Sequence, residues 1–509
     1  MDTNLVNLIR ENALSFGRRT AVRFEKSKVS YRKLDELSDK LSTGLKTRLG
    51  ISKGDHVCIM MGNCLDFVIS YFGILKAGAW VIPVNTFLVA EEVRFILEDS
   101  KARIVITDNK LLKVMEEAVK GMSNPPDIIL AGDKESKDFI LLDTLYVDGE
   151  HTVAEIHPDD IAVLIYTSGT TGIPKGAMLT HRNLVSNVKD CIKTLRIKKR
   201  DRVIVFLPMF HSFTLTVCML TPLIGGASFI ILRSVRPFDK VLKTVILRRI
   251  TAFVGIPQIF HLLSEKKVPW LVKKLLSIRF CISGSAPLSE EVLKNFENNT
   301  GLPLMEGYGL SEASPVVSVN PLYGTRKVGS VGIPLSSVDV KIVNDEEKEL
   351  PFGEKGEIIV KGPNVMKGYF NKPEETSKAI KGDWLFTGDI GKIDSDRYLY
   401  ILDRKKDMIL SHGLNVYPRE IEQVLYQHPS IRDAAVIGVK DVRRGEKAVA
   451  YVTLKEGFSA QPGELIKFCK GKLAPYKIPH TVKIVTELPR TPTGKILKKD
   501  IKKMAEARA

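Results

Sequence analysis

The stretch IAVLIYTSGTTGIPKG, residues 161–176, ends an apolar run in a loop made almost wholly of glycines and hydroxyls. Residues 161–166 are β-rich and apolar throughout, which predicts a buried strand. The chain then presents Thr167, Ser168, Gly169, Thr170, Thr171 and Gly172, with Lys175 just beyond. Glycines let backbone N–H groups converge on an anion, hydroxyls add donors, and a lysine adds a full charge. The pattern therefore predicts a phosphate cradle at a strand end. It is not the P-loop of kinases and GTPases, which needs GxxxxGK[ST] where this chain has GTTGIPKG. Composition alone leaves an ordinary Gly/Thr-rich turn open.

Outward from this strand the same rhythm recurs. VIVFLP, ASFIIL, TAFVGI and IRFCIS are short β-rich runs, and FDKVLKTVILRRI and SEEVLKNFENN between them have helical spacing. That alternation predicts a largely parallel sheet flanked by helices. Upstream, HVCIMMGN, FVISYFGILKAGAWVIPVN and ARIVITDN repeat it and predict a second α/β layer. After residue 325, SVDVKIVN, GEIIVKG and RYLYILD alternate at period two, as a small antiparallel barrel or sheet does. The charged DRKKD (403–407) precedes a section with its own strands, DAAVIGV and KAVAYVTL, and helices, REIEQVLYQ and GELIKFCKGKL. The expected fold class is α/β. A large N-terminal domain over 1–403 holds stacked α/β sheets plus a small barrel, and a small, mobile C-terminal α+β domain spans 404–509.

A chain of 509 residues has room for two to four folding units, and 44% hydrophobic with 27% charged residues excludes a disordered chain. The six cysteines lie far apart with no CxxC pair, against a disulfide framework or zinc knuckle and in favour of a reducing compartment. The N-terminus carries Asp2 and Glu11 and no long apolar segment, and no apolar run approaches the roughly 18 residues of a membrane span. A cytoplasmic location is expected, with the inner membrane face as a peripheral site. The net charge of +17 favours an anionic partner: lipid, nucleic acid or a polyanionic small molecule.

The full string YTSGTTGIPKG resembles the acyl-adenylate-forming enzymes, the family of acyl-CoA synthetases, luciferases and peptide-synthetase adenylation domains. EGYGLSE (306–312), WLFTGD (384–389), ILDRKKDMILSHGLNVYPREIE (401–422) and PRTPTGKI (489–496) follow in family order. Within the family, fatty-acid acyl-CoA synthetases are the most similar. The resemblance implies a two-step reaction in one site. A carboxylic acid and ATP·Mg²⁺ give acyl-AMP and pyrophosphate, and coenzyme A then displaces AMP to give the thioester. It further implies that the C-terminal domain rotates between the steps.

Each motif also has its own chemistry. Tyr308, between Gly307 and Gly309, offers an open aromatic face, and the resemblance lays it against adenine; a tyrosine in a tight turn is the plain alternative. Glu312 is an oxygen ligand suited to Mg²⁺, and the family uses the matching glutamate so. Ser311 stands where threonine is common and keeps the hydroxyl. Asp389 and Arg404 are assigned to the ribose by resemblance, where unaided reading leaves a turn aspartate and a surface ion pair. Lys495, lifted by a Pro/Gly turn, is assigned the charge that develops on the transferring phosphoryl group, although Lys498, Lys499, Lys502 and Lys503 crowd the same tail. Lys406 matches the family hinge, and Gly413 would let a slender pantetheine arm pass the backbone; a solvated lysine and a turn glycine stay open.

LPMFHSFTLT (207–216) resembles the entry to the acyl pocket of fatty-acyl and aryl CoA ligases, with His211 at the gate. Gly284, Ser285 and Ala286, in ISGSAPLS (282–289), are small enough to line a slot for a chain or ring. No acidic or amide residue stands out as partner for a substrate amine, which favours a fatty acid over an amino acid. An aryl, 4-coumarate-like CoA ligase and an acyl-AMP ligase loading a carrier protein are the alternatives, and a kinase would release ADP instead. SEKKVPWLVKKLLSIRF (264–280) reads as a basic amphipathic helix, with Val268, Leu271, Val272, Leu275 and Leu276 on one face and lysines on the other. Peripheral membrane contact and a homodimer stay open as partners, and nucleic acid is not expected as one.

Overall fold

The computed structural model describes residues 3–132, 139–149, 154–168, 174–265, 268–411, 414–441, 445–491, 494 and 496–506. The opening stretch forms a hairpin, with Ile161–Ser168 antiparallel to Pro174–Thr180 up to the pair Ser168↔Pro174. The five residues between the arms, 169–173, lie outside the described residues.

This hairpin sits inside an eight-stranded sheet. Ile161–Ser168 pairs in parallel with Trp80–Pro83, which pairs with His56–Met60, then Ile104–Asp108 and Asp127–Ala131, all parallel. Val57, Cys58, Ile59 and Met60 are fully buried, which is why these strands read as unbroken apolar runs. A nine-stranded sheet holds Arg202–Val205 beside Ser228–Ile231 and Ala252–Gly255, continuing in parallel through Phe280–Ser283 to Leu304–Gly309. Val81, Ile106 and Val163 of one sheet share an apolar cluster with Val203, Phe229 and Ile282 of the other, so the two sheets are stacked layers around one core. The strand at 161 belongs with the upstream strands and not with those that follow it. Strands buried on both faces carry no polar edge in their sequence to show which sheet they join.

The small barrel expected after residue 325 takes the form of an antiparallel sheet of five strands. Asp339–Val343, Gly356–Lys361 and Trp384–Ile393 pair in that order, and Ile380–Lys381 and Leu399–Arg404 both pair with Trp384–Ile393. Beyond it, Ile409–Ser411, Ile431–Asp441, Gly445–Leu454 and Thr481–Ile484 build a separate sheet under the helices Pro418–Tyr426 and Pro462–Cys469. These enclose their own apolar cluster around Val416, Ile421, Leu425, Val436 and Val452.

The single amphipathic helix expected over 264–280 does not form. One helix ends at Ser264, Pro269 caps a short helix Trp270–Leu275, and the chain is extended before Phe280–Ser283. Pro269 has no N–H to carry a helix through from before it. Leu275 is 60% exposed while Leu276 packs on the core, so the two do not share a face. Residues 266 and 267 and the side chain of Leu271 lie outside the described residues. Among the described residues, no helix is long and apolar enough to cross a membrane, and all six cysteines are free thiols.

Candidate active site

A cavity of about 770 Å³ opens where the two stacked sheets and the antiparallel sheet meet. Leu304–Gly309 brings Tyr308 at its carboxyl end, the edge at which α/β sheets hold ligands. The hairpin brings Thr167 and Lys175, and Leu399–Arg404 ends in Arg404. Thr167, Lys175, His211, Ser285, Gly307, Tyr308, Gly309, Ser311, Glu312 and Arg404 all line this one space.

Their polar atoms are interlinked. Glu312, on the single turn Ser311–Ala313, accepts from the Thr167 hydroxyl at 3.3 Å and the Tyr369 hydroxyl at 3.0 Å through Oε1. Burial and the Glu312 carboxylate push the Tyr369 phenol well above its ordinary pKa, so it acts as a donor. The Tyr308 hydroxyl donates to Asp389 Oδ2 at 2.6 Å, and Arg404 Nε lies 2.9 Å from Asp389 Oδ1. Burial and this aspartate hold the Tyr308 phenol protonated, and Asp389 raises the already high pKa of Arg404. The hydroxyls of Ser212 and Ser311 are 3.0 Å apart. Lys175 is buried, ion-paired with Glu375, and its Nζ lies 5.3 Å from the centre of the Tyr369 ring.

The cavity wall around His211 is tightly shaped. Phe213 N–H donates to His211 Nδ1 at 3.3 Å, and a Cβ added at Gly284 would meet the Phe213 ring at 2.7 Å. Ser285 follows with φ +69, a left-handed backbone that turns the chain along the cavity wall. Cys191, Leu195, Val217, Val319 and Leu335 give a further, uncharged part of the lining.

Three expected residues stand back from the cavity lining. Asp389 is 4% exposed behind Tyr308 and Arg404, Ala286 is partly exposed beyond Ser285, and Lys406 is exposed, with burial of its stem and Arg404 lowering its ammonium pKa. Gly169, Thr170, Thr171, Gly172, Gly413, Lys495 and the side chain of Ser168 lie outside the described residues. On either side of Lys495, Thr491 and Leu497 line the cavity.

This geometry agrees with what the chain resembles as a whole. Residues 9–370 match the AMP-binding enzyme family, and residues 420–495 match the AMP-binding enzyme C-terminal domain. The chain belongs to the AMP-binding enzyme family. A long-chain-fatty-acid–CoA ligase of Bacillus subtilis strain 168 is 39% identical over 530 residues, covering 97% of this chain and 93% of that one. A feruloyl-CoA synthase of Amycolatopsis is 34% identical, covering 95% of both. The crystal structure of ATP-bound MatB from Rhodopseudomonas palustris superposes with a TM-score of 0.91 at 31% identity, covering 99% of both chains. The apo structure of that protein gives 0.80.

This AMP-binding enzyme also places residues in the site that no motif singles out. Tyr369 reaches Glu312 from 57 residues away and Glu375 reaches Lys175 from 200. Glu357 accepts from the Gly388 N–H at 3.1 Å beside Thr387, both at the cavity. A tyrosine or glutamate is ordinary in composition, and only the fold brings these to the motif residues.

One buried acid next to the site yields a stability prediction. Glu306, directly before Gly307, is 3% exposed; its Oε1 accepts from Leu288 N–H at 3.1 Å and lies 3.7 Å from Arg419 NH2. Burial pushes its carboxyl from the ordinary 4.5 up to about 7, against the pull of Arg419. Because the folded value is raised, this group's contribution is complete below pH 4.5 and is lost as pH rises through about 7. The loss amounts to roughly 3 kcal/mol at most. Glu306→Gln keeps the acceptor and removes the titration, so its Tm-versus-pH profile should be flatter than the wild type's across this window. Parallel profiles would show that Glu306 does not titrate there.

Proposed function

We propose that the protein is an ATP-dependent acyl-CoA synthetase that converts a fatty acid through acyl-AMP to acyl-CoA, releasing AMP and pyrophosphate. The observation that carries the reading is the convergence on one cavity of an aromatic face, a hydroxyl and lysine pair, the Glu312 carboxylate and an arginine, next to an uncharged part of the lining. Tyr308 offers a face to adenine, while Arg404, backed by Asp389, meets the ribose. Thr167 and Lys175, with the loop 168–172, take the β- and γ-phosphates. Lys175 is shared with Glu375, so part of its charge is already balanced.

Among the described residues no three metal-ligating side chains cluster together. The Glu312 carboxylate, oriented by Thr167 and Tyr369, fits Mg²⁺, which takes one or two carboxylates and fills its shell with phosphates and water. Bound at Glu312, the ion would neutralise phosphate charge. His211 and Ser285 flank the path of the acid, and Cys191, Leu195, Val217, Val319 and Leu335 receive its alkyl chain. Residues 1–403 form the AMP-binding body, and 404–509 form a domain that turns about Lys406 to exchange Lys495 for Gly413 at the cavity. The closer match to ATP-bound than to apo MatB supports an adenylation-ready orientation.

The relatives support the acid class from two sides. The Bacillus ligase favours a long alkyl chain, and the feruloyl-CoA synthase favours an aromatic acid as the second reading. Acid-dependent exchange of pyrophosphate into ATP without CoA, across short, medium, long and aromatic acids, separates them. Exchange with the longer alkyl acids supports the fatty-acid reading, exchange with aromatic acids alone supports the second, and none at all contradicts both.

A fatty substrate gives a peripheral membrane contact a purpose. It would rest on Trp270 and Leu275, 63% and 60% exposed, and on Lys274, whose Nζ lies 4.5 Å from the indole centre. Co-sedimentation with anionic vesicles should be strong at low salt and weak at high salt. Absence of binding at low salt removes this contact.

A further inference from the structure

Gly494, the residue before Lys495, is held by a residue from a helix on the nine-stranded sheet. Arg490 bridges Ile496 in an antiparallel pair, and Gly494 N–H donates to Thr491 O at 2.8 Å, which closes a tight turn. Gly494 has φ +81, a backbone that favours glycine. Its carbonyl accepts two hydrogen bonds. One is from Arg490 NH1 at 2.8 Å, and Arg490 is itself tied to Asp433 at 2.6 Å on Ile431–Asp441. The other is from Gln258 Nε2 at 2.6 Å, across 236 residues of sequence.

The two donors differ in where they are anchored. Arg490 and Asp433 belong to the same C-terminal section as the turn, so their bond travels with it. Gln258 belongs to the helix Pro257–Ser264, which packs against Glu290–Thr300 on the nine-stranded sheet. Its contact joins the C-terminal section to the nine-stranded sheet. A Cβ at Gly494 would meet the Gln258 amide at 2.6 Å and the Ile256 side chain at 2.9 Å, so the seat is made for a glycine.

We infer that Gln258 is a positioning residue for acyl-AMP formation: its amide holds the Gly494 carbonyl, and with it the neighbouring Lys495, in the orientation used for the first half-reaction only. The inference rests on the proposed function and adds to it the large-domain group that reads the small domain's position. Arg490 shapes the turn in every orientation, whereas Gln258 selects one.

The test splits the half-reactions in the full-length protein. Gln258→Met keeps the length and removes the donor, and Gln258→Glu sets a carboxylate against the carbonyl. Both should lower kcat of acyl-AMP formation by about ten-fold or more, with little change in the KM for ATP. Thioester formation from added acyl-AMP and CoA should be as in wild type, and so should the Tm. Gln258→Asn, which keeps a shorter amide, should restore part of the loss. Equal losses in both half-reactions would make Gln258 merely structural, and undiminished acyl-AMP formation in Gln258→Met would overturn the inference. If the wild-type protein makes no acyl-AMP from any acid, the proposed function fails instead.

Discussion

Lys495→Ala should lose acyl-AMP formation by about 10²-fold or more while leaving thioester formation from preformed acyl-AMP intact. As the carboxylate attacks the α-phosphate, negative charge gathers on the transferring group, and an ammonium aimed there acts only in that transition state. Of the described residues flanking Lys495, Thr491 and Leu497 line the cavity and Gly494 is hydrogen-bonded to Gln258. The second step needs no such charge, because AMP leaves with its phosphate already formed. Gly413→Trp should give the mirror image, with acyl-AMP formed and thioester blocked. Quench-flow of each half-reaction reads the pair. A Lys495→Ala enzyme with near-normal adenylation would remove this lysine from the chemistry.

Glu312→Gln should cut adenylation on the order of 10²-fold and raise the Mg²⁺ concentration needed for half-maximal rate. The substitution keeps shape and leaves an oxygen to accept from Thr167 and Tyr369, so the local hydrogen bonds and Tm should survive. Only the charge available to the metal is lost. A Mg²⁺ titration of the exchange rate, wild type against variant, measures this. An unchanged Mg²⁺ dependence would mean that Glu312 orients Tyr369 and Thr167 without holding the ion.

Much of this site was legible in the sequence because its residues sit in glycine-bounded strings whose chemistry is local. Tyr308 between two glycines and Glu312 four residues on could be given roles before any contact was known, and they share a cavity. What could not be read depends on long-range pairing. The partners of Glu312 and Lys175 are distant in sequence, and so is the Gln258–Gly494 contact. The strand at 161 was readable as a strand but not by sheet, since register between fully buried strands leaves no polar trace. Asp389 was assigned to the ribose by resemblance; its hydrogen bonds to Tyr308 and Arg404, the latter set by the pair Asp389↔Arg404 across the antiparallel sheet, could not be read from the sequence. The basic segment at 264–280 misled because helical spacing was counted through Pro269, whose ring and missing N–H divide the segment.

The central claim is that this cavity joins an acid to CoA by way of AMP. The most direct measurement incubates the purified protein with ATP, Mg²⁺, CoA and a long-chain fatty acid, and quantifies AMP, ADP, pyrophosphate and acyl-CoA together. The account predicts AMP, pyrophosphate and acyl-CoA in equal amounts, all dependent on the acid. Production of ADP in their place, or AMP without any acyl-CoA, would contradict it.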